Sequence, residues 1–337
     1  MPLPLGKLPP DLLARLLARI PAVDPRVVVG SRPGVDAAVL DLGDRYLVAT
    51  SDPITFVGGR IGRYAVHVNA NDIAVMGAVP RWLLATVLLP PAGDEALVTA
   101  IHDQMLATCA DLGVTLIGGH TEVTHGLDRP IVAGTMLGEV AKDKLVTTGG
   151  ARVGDAIVMT KGVPLEGGAI LARERGEEAL ARGVRAAAVR KAKGLLRAPG
   201  LSVLPEAEIA CELATVHAMH DPTEGGIATA LAELAQAAGV GLRVDRDRIV
   251  MIPEAVELCR AFGLDPLGTI ASGALLMTLA PAEAGIVIHA LAREGIDCHY
   301  IGQVVPPEQG VRLVAGGSET PLPVFAQDEI TRVFAGG

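Results

Sequence analysis

Short aliphatic runs alternate with amphipathic helices along most of this chain, and several neighbouring runs are joined by links no longer than a hairpin turn. That combination most constrains the fold. Parallel neighbours need long crossover connections, so hairpin-length links favour α+β layers over a purely parallel doubly wound sheet. The stripe Leu12, Leu13, Leu16, Leu17 and Ile20 behind Pro9 and Pro10 predicts a helix over 11–20. Strands are expected at 36–42 and 45–51, joined at Gly43-Asp44. A helix over about 60–76, a strand at 82–89, a helix over 94–112 and strands at 114–118 and 131–140 follow. Residues 141–155 carry charges, a Gly pair and little periodicity, which places the domain boundary there. The expected domains are residues 1–145 and 150–337. In the second half we expect strands at 156–160, 240–245, 274–280 and near 298–305 and 311–315. Helices are expected near 166–175, 183–197, 203–215, 224–238, 253–262 and 282–294.

Length and composition narrow the function classes. A chain of 337 residues exceeds the usual size of one core. With four Phe, three Tyr and one Trp, the cores must be aliphatic, and base-stacking platforms are excluded. Lys and Arg number 29 against 38 Asp and Glu, a net charge of -9. That balance speaks against nucleic acid as a partner. It leaves nucleotides open, because carboxylate-held metal ions can carry a triphosphate. Cys109, Cys211, Cys259 and Cys298 form no CxxC pair, so reduced thiols in a cytoplasmic protein are expected. The start lacks the features of a signal peptide. The apolar stretch 272–292 is interrupted by Pro281, Glu283 and His289, so no membrane association is expected.

Polar residues in four segments sit where packing would not put them. Asp36 opens an apolar strand in Gly34-Val35-Asp36-Ala37-Ala38-Val39. Asp52 is read as lying just past the next strand, in Ser51-Asp52-Pro53. Asn69-Ala70-Asn71-Asp72 interrupts an apolar helix, and His220-Asp221-Pro222-Thr223-Glu224-Gly225-Gly226 forms a loop entering a helix. Asn and Asp are poor helix-interior residues because their side chains compete for backbone hydrogen bonds. Asp36, Asp52 and Asp72 suit a hard-cation site that bridges Mg²⁺ to phosphate; each also suits a turn or helix cap. Asp221 or Thr223 would cap a helix from Glu224, and Gly225-Gly226 would leave open N–H groups for an anion; the two readings are compatible. Gly118-Gly119 precede His120 and Glu122, which share a side if extended, as two metal ligands or an acid/base pair. Gly58-Gly59-Arg60-Ile61-Gly62 is glycine-rich but fits neither standard phosphate-loop pattern.

In order, GVDAAV, TSDPI, VNANDIAVMGAVP, GGHTEV, HDPTEGGIATALAELAQAAGVGL and LDPLGTIASGALLMTL resemble the aminoimidazole ribonucleotide synthetase (PurM) superfamily. That superfamily includes thiamine-monophosphate kinase, selenophosphate synthetase and the hydrogenase maturation factor HypE. The resemblance spans about residues 30–330, and its fifth stretch is most similar to HypE and HypE-like proteins. It implies a two-domain α+β chain that homodimerises through N-terminal sheets forming a barrel, with ATP and Mg²⁺ in a cleft beside it. It implies phosphoryl transfer that activates an oxygen of a small molecule or carrier group, possible partners including a maturation protein. By motif position Asp36, Asp52, Asp72 and Glu122 would hold metal. Asp52, Gly118, Gly119, Thr223, Gly225 and Gly226 would hold the cofactor, and Asp221, Asn71 and His120 would serve catalysis. Four departures accompany the likeness. No cysteine follows Cys298, whereas HypE carries its carbamoyl group on a terminal cysteine. His120 stands where relatives carry Asp or Glu, Val35 stands where the kinase has a second acid, and the Cys/Sec-Gly-Lys region of selenophosphate synthetase is absent. The alternatives to a HypE-like activity are a small-molecule kinase resembling thiamine-monophosphate kinase and a nucleotide-binding maturation scaffold without turnover.

Overall fold

The computed structural model describes residues 3, 6–21, 24–32, 34–55 and 59–334; Gly58 of the glycine-rich run lies outside them. The chain divides into two compact units. One comprises Ala22–Gly30 and Asp36–Leu145; the other comprises Met1–Pro21, Ser31–Val35 and Val146–Gly337 and includes helix α1 (Pro10–Leu17).

The first unit is built on a six-stranded sheet. Its strands are β1 (Val27–Val29), β2 (Ala38–Asp41), β3 (Tyr46–Ile54), β4 (Val79–Leu89), β5 (Thr115–Val123) and β6 (Ile131–Val140), in the order β1-β2-β3-β6-β4-β5. All pairings are antiparallel except β4 with β5. Helix α2 (Ile61–Ala74) packs on β3, β6 and β4 and also against α3 (Glu95–Leu112). Glycines set how closely α2 approaches. A Cβ on Gly134 of β6 would come within 2.5 Å of the Asn69 amide, and one on Gly62 would strike the Ile101 carbonyl of α3.

The second unit holds β7 (Ala156–Thr160), β8 (Val216–His220), β9 (Gly241–Asp245), β10 (Leu276–Leu279), β11 (Cys298–Val305), β12 (Val311–Ala315) and β13 (Ser318–Pro321). Their order is β13-β12-β9-β11-β7-β10-β8, antiparallel apart from β12 with β9. Helices α4 (Leu165–Glu174), α5 (Gly176–Ala181), α6 (Ala186–Gly194), α7 (Leu204–Leu213), α8 (Gly226–Ala238), α9 (Pro253–Ala261), α10 (Pro281–Arg293) and α11 (Thr331–Phe334) complete it. Ile157, Met159, Leu231, Leu234, Leu242, Val244, Leu276 and Ile301 are fully buried in its core, so aliphatic side chains supply the packing. The architecture is mixed α+β with two sheets, as the hairpin-length links required.

Several local expectations need correction. Asp52 lies inside β3, not past its end, because the strand stays paired with β6 from Tyr46↔Val140 to Ile54↔Val132. Strand β5 continues through Gly118-Gly119 to Val123. The helix expected over 183–197 is shorter, Ala186–Gly194. The helix expected from Glu224 starts at Gly226, with left-handed Gly225 as its N-cap and no side-chain cap, so neither Asp221 nor Thr223 plays that part. None of the four cysteines is in a disulfide, and burial pushes the thiols of Cys109 to about 11 and of Cys259 and Cys298 to about 12. No helix among the described residues is long and apolar enough to cross a membrane.

Candidate active site

In the six-stranded unit the polar positions of α2 are buried: Asn69 and Asn71 are 0% exposed and Asp72 is 4% exposed. Burying such groups is costly without partners, and the partners explain the sequence. Strand β2 pairs with β3 only as far as Ala49. Beyond that point Asn69 acts as a neighbouring strand would. Its Oδ1 accepts from Asp52 N–H at 3.0 Å, and its Nδ2 donates to the Asp52 carbonyl at 3.2 Å and to the Ala65 carbonyl at 2.9 Å. The backbone of Asp52 is thereby clamped from the helix. One turn on, Asp72 Oδ2 accepts a buried hydrogen bond from the Thr50 hydroxyl at 2.8 Å, and the same hydroxyl lies 3.0 Å from the Asp36 carbonyl. Thr50 and Asn69 together tie the backbones or side chains of Asp36, Asp52 and Asp72 to one corner of the sheet. The ligand atoms of these three residues do not form a set lying wholly within 4.8 Å.

The other candidates of this unit lie on edge strand β5. Gly118 and Gly119 adopt φ 153° and 144° where the β4–β5 register shifts, and a Cβ on Gly119 would strike the Ala85 backbone. Ile117 is the extra residue at that shift, and the two glycines that follow it resume pairing with Leu84 and Ala85 in a backbone conformation that only glycine adopts easily. After the bulge His120 Nε2 and Glu122 Oε2 meet at 3.1 Å on one exposed face, as the same-side argument required. Asp52 is in register with Gly134, Gly134 with Ala85, and Ala85 with Gly119. Three strand spacings separate the ends of that row, roughly 14 Å. Within one chain the His120–Glu122 pair is therefore distinct from the Asp corner.

In the seven-stranded unit Asp221 follows β8 directly and is buried. Gly225 and Gly226 take φ 79° and 62°. The amides expected to stand open for an anion are engaged: Gly225 N–H donates to Asp328 Oδ2 at 2.6 Å, and Gly226 N–H donates to the Thr223 carbonyl at 3.0 Å. Next to this turn His220 Nε2 meets Glu233 Oε2 at 2.9 Å, and Lys7 Nζ lies 3.8 Å from both Glu224 and Glu233.

Two acids escaped the sequence reading. Glu166, in the first turn of α4, is 4% exposed, and its Oε2 has no hydrogen-bond partner. Burial pushes its carboxyl up to about 8; a hydrogen bond from Ser272 opposes the rise, and the charges of Glu224, Asp328 and Asp221 add to it. Burial likewise pushes Asp328 up to about 7, against the hydrogen bonds from Ile330 and Gly225. An acid inside the apolar run Leu165-Glu166-Gly167-Gly168-Ala169-Ile170 was the available signal for Glu166.

Two mixed α+β units, one organised around an Asn-Asp helix and the other around a DPTEGG turn, define a two-domain protein of the AIR synthase type. Residues 34–140 match the AIR synthase related protein N-terminal domain, and residues 152–314 match its C-terminal domain. The carbamoyl dehydratase HypE of Rhodobacter capsulatus is 32% identical over 294 residues, covering 84% of this chain and 83% of that protein. The carbamoyl dehydratase HypE of Rhizobium leguminosarum bv. viciae is 31% identical over 283 residues, covering 81% and 78%. A crystal structure of hydrogenase maturation protein HypE in complex with ATP superposes with a TM-score of 0.73 at 26% identity, over 94% of this chain and 95% of that one. The chain belongs to the AIR synthase related protein family, with HypE proteins among its relatives.

Proposed function

We propose that this chain is an ATP- and Mg²⁺-dependent enzyme that phosphorylates, and so activates, an oxygen of a small molecule or carrier group in metallocentre or cofactor maturation. The observation that carries this reading is the buried Asn69–Asp72 segment, whose polar side chains are spent on fixing Asp52 and Asp72. The HypE relatives, and the ATP bound in one HypE structure, support it.

The donor set fits the cation. Mg²⁺ is ordinarily held by one or two carboxylates together with phosphate oxygens and waters, so three carboxylates not packed into one tight cage suit it. When bound, Mg²⁺ neutralises phosphate charge. The chain's own residues would position the reactants: Asp36, Asp52 and Asp72 would hold the cation, and Asn71 would orient phosphate oxygens. Gly118 and Gly119, lacking side chains, would give a nucleotide close approach to backbone. In the seven-stranded unit the turn at Gly225 and Gly226 holds Asp221 and Thr223, which the motif likeness assigns to catalysis and to cofactor binding. His120 and Glu122, set apart from the Asp corner within one chain, would enter this reaction only from the second copy of a dimer. In-line phosphoryl transfer needs such positioning more than a covalent nucleophile, and burial leaves the thiols of Cys109, Cys259 and Cys298 unactivated for that part.

We assign a homodimer through the β5 edge, which no other described strand covers and which exposes Ile117 and Val123. The HypE kinship also suggests a maturation-protein partner. Mg²⁺-dependent ATP turnover in Asp72→Ala tests the central reading. Turnover should fall by two or more orders of magnitude, as for loss of a phosphate-bridging ligand, on the order of 10²-fold. Undiminished turnover in the folded variant removes the assigned site.

A further inference from the structure

The segment after β13 runs back over the seven-stranded unit and is fastened along one backbone ridge, residues 265–269. The Phe325 ring lies so close to Gly268 that a Cβ there would come within 2.6 Å of it. Glu329 donates its N–H to the Gly268 carbonyl at 3.0 Å and accepts from Asp265 N–H through Oε2 at 2.9 Å. These contacts deliver Asp328, a buried residue whose two oxygens have separate duties. Oδ1 accepts from Ile330 N–H at 2.8 Å, which shapes its own segment. Oδ2 accepts from Gly225 N–H at 2.6 Å, across 103 residues of sequence.

The turn that receives Asp328 needs outside support. Two successive left-handed glycines give Gly225-Gly226 little conformational preference of their own. The missing Cβ of Gly226 lets the turn lie against the carbonyls of Leu267 and Thr269, where a side chain would come within 2.6 Å. The turn is thus held by the ridge, against which Gly226 lies, and by Asp328, which also takes a backbone hydrogen bond from Ile270. An Asp oxygen accepting a buried N–H at 2.6 Å fixes the helix start by its geometry, and its ionised form also complements the positive end of α8.

We propose that Asp328 is a positioning residue for the DPTEGG turn, delivered by a strap of residues 325–334, and that it sets the orientation of Asp221 and Thr223. The proposal rests on the reading above that assigns Asp221 to catalysis and Thr223 to cofactor binding. Because the carboxylate already occupies Gly225 N–H, the turn works by presenting side chains rather than by cradling a phosphate at that amide.

The test uses full-length Asp328→Ala and Asp328→Asn, with Glu329→Gln as a strap variant that leaves the Gly225 bond in place. Amide hydrogen exchange in D₂O should speed up at Gly225 and Gly226 by roughly 10- to 100-fold in Asp328→Ala, as for loss of one buried charge-assisted bond. Strands β8 and β10 should keep their protection. Asp328→Asn, which retains one acceptor oxygen, should fall between the two, and Glu329→Gln should match the parent. In Mg²⁺-dependent ATP turnover, Asp328→Ala should lower kcat by roughly 10- to 100-fold while KM for ATP changes less than about twofold. Unchanged exchange at Gly225 overturns the strap; faster exchange with unchanged kcat overturns the positioning role. If the parent itself turns over no ATP, the functional reading fails, and the exchange experiment still decides whether Asp328 holds the turn.

Discussion

Replacing Glu166 by Gln should stabilise the protein at neutral and alkaline pH while leaving it unchanged near pH 4.5. The carboxyl is buried, has one oxygen without a hydrogen-bond partner, and is pushed by burial from 4.5 to about 8. A raised carboxyl makes its full contribution below the unfolded value and loses it as pH rises through the folded value. Between pH 4.5 and about 8 the folded chain keeps a proton that the unfolded chain has released. Unfolding therefore becomes easier by ~1.4 kcal/mol per pH unit. The accumulated loss is roughly 3 kcal/mol at pH 7 and roughly 5 kcal/mol above pH 8, as upper values for a group this deeply buried. Glutamine has nearly the shape and hydrogen-bonding pattern of the neutral acid and carries no such linkage. Urea unfolding of parent and variant, followed by circular dichroism at pH 5, 6, 7 and 8.5, measures the difference directly. The variant's stability should diverge upward from the parent's with rising pH. Parallel pH profiles, or a variant less stable than the parent at pH 7, would show that Glu166 is charged in the folded protein. That result would refute the assignment of a neutral acid beside Ser272.

The corner that fixes Asp52 and Asp72 makes further commitments. Asn69→Ala removes all three hydrogen bonds of the clamp and should cost roughly 2–4 kcal/mol in urea unfolding, because the Asp52 backbone is left with unmet polar groups. Gly134→Ala drives a methyl into the Asn69 amide and should cost roughly 1–3 kcal/mol, read as a lowered thermal midpoint. Lys161 and Glu206 form an ion pair at 2.6 Å with side chains 5% and 1% exposed. Lys161→Met should cost roughly 3–5 kcal/mol, and Lys161→Met with Glu206→Leu should recover much of it, since an unpaired buried charge is the main penalty. The β5-edge dimer proposed above predicts that the parent sediments as a dimer at micromolar concentration and Ile117→Lys as a monomer, with circular dichroism unchanged.

What was readable in the sequence, and what was not, follows from how far each interaction reaches. The two-sheet α+β arrangement was legible because period and link length are local properties. The acidic positions stood out because Asp and Asn there oppose helix propensity or open apolar strands. Gly118-Gly119 hid the second half of β5, since two glycines look like a stop. The strand continues because β4 tolerates a register shift at that point. Asp52 looked like a turn residue in Ser51-Asp52-Pro53, yet pairing with β6 and the Asn69 clamp keep it extended. The helix start at Gly226 was misplaced by two residues because Asp221 and Thr223 are standard capping types, whereas the turn is held by a carboxylate from the far end of the chain. Asn69 acts on a residue 17 positions away and Asp328 on one 103 positions away. No periodicity argument can pair residues at those distances. In both cases a side chain from another element takes a backbone group that a neighbouring strand or a local cap would otherwise have held. In each unit that substitution ties candidate residues to the fold: the Asn69 amide helps hold Asp52, and the Asp328 side chain helps hold the DPTEGG turn. Single substitutions at Asn69 and Asp328 should therefore disturb the site more than changes to many residues nearer to it in sequence.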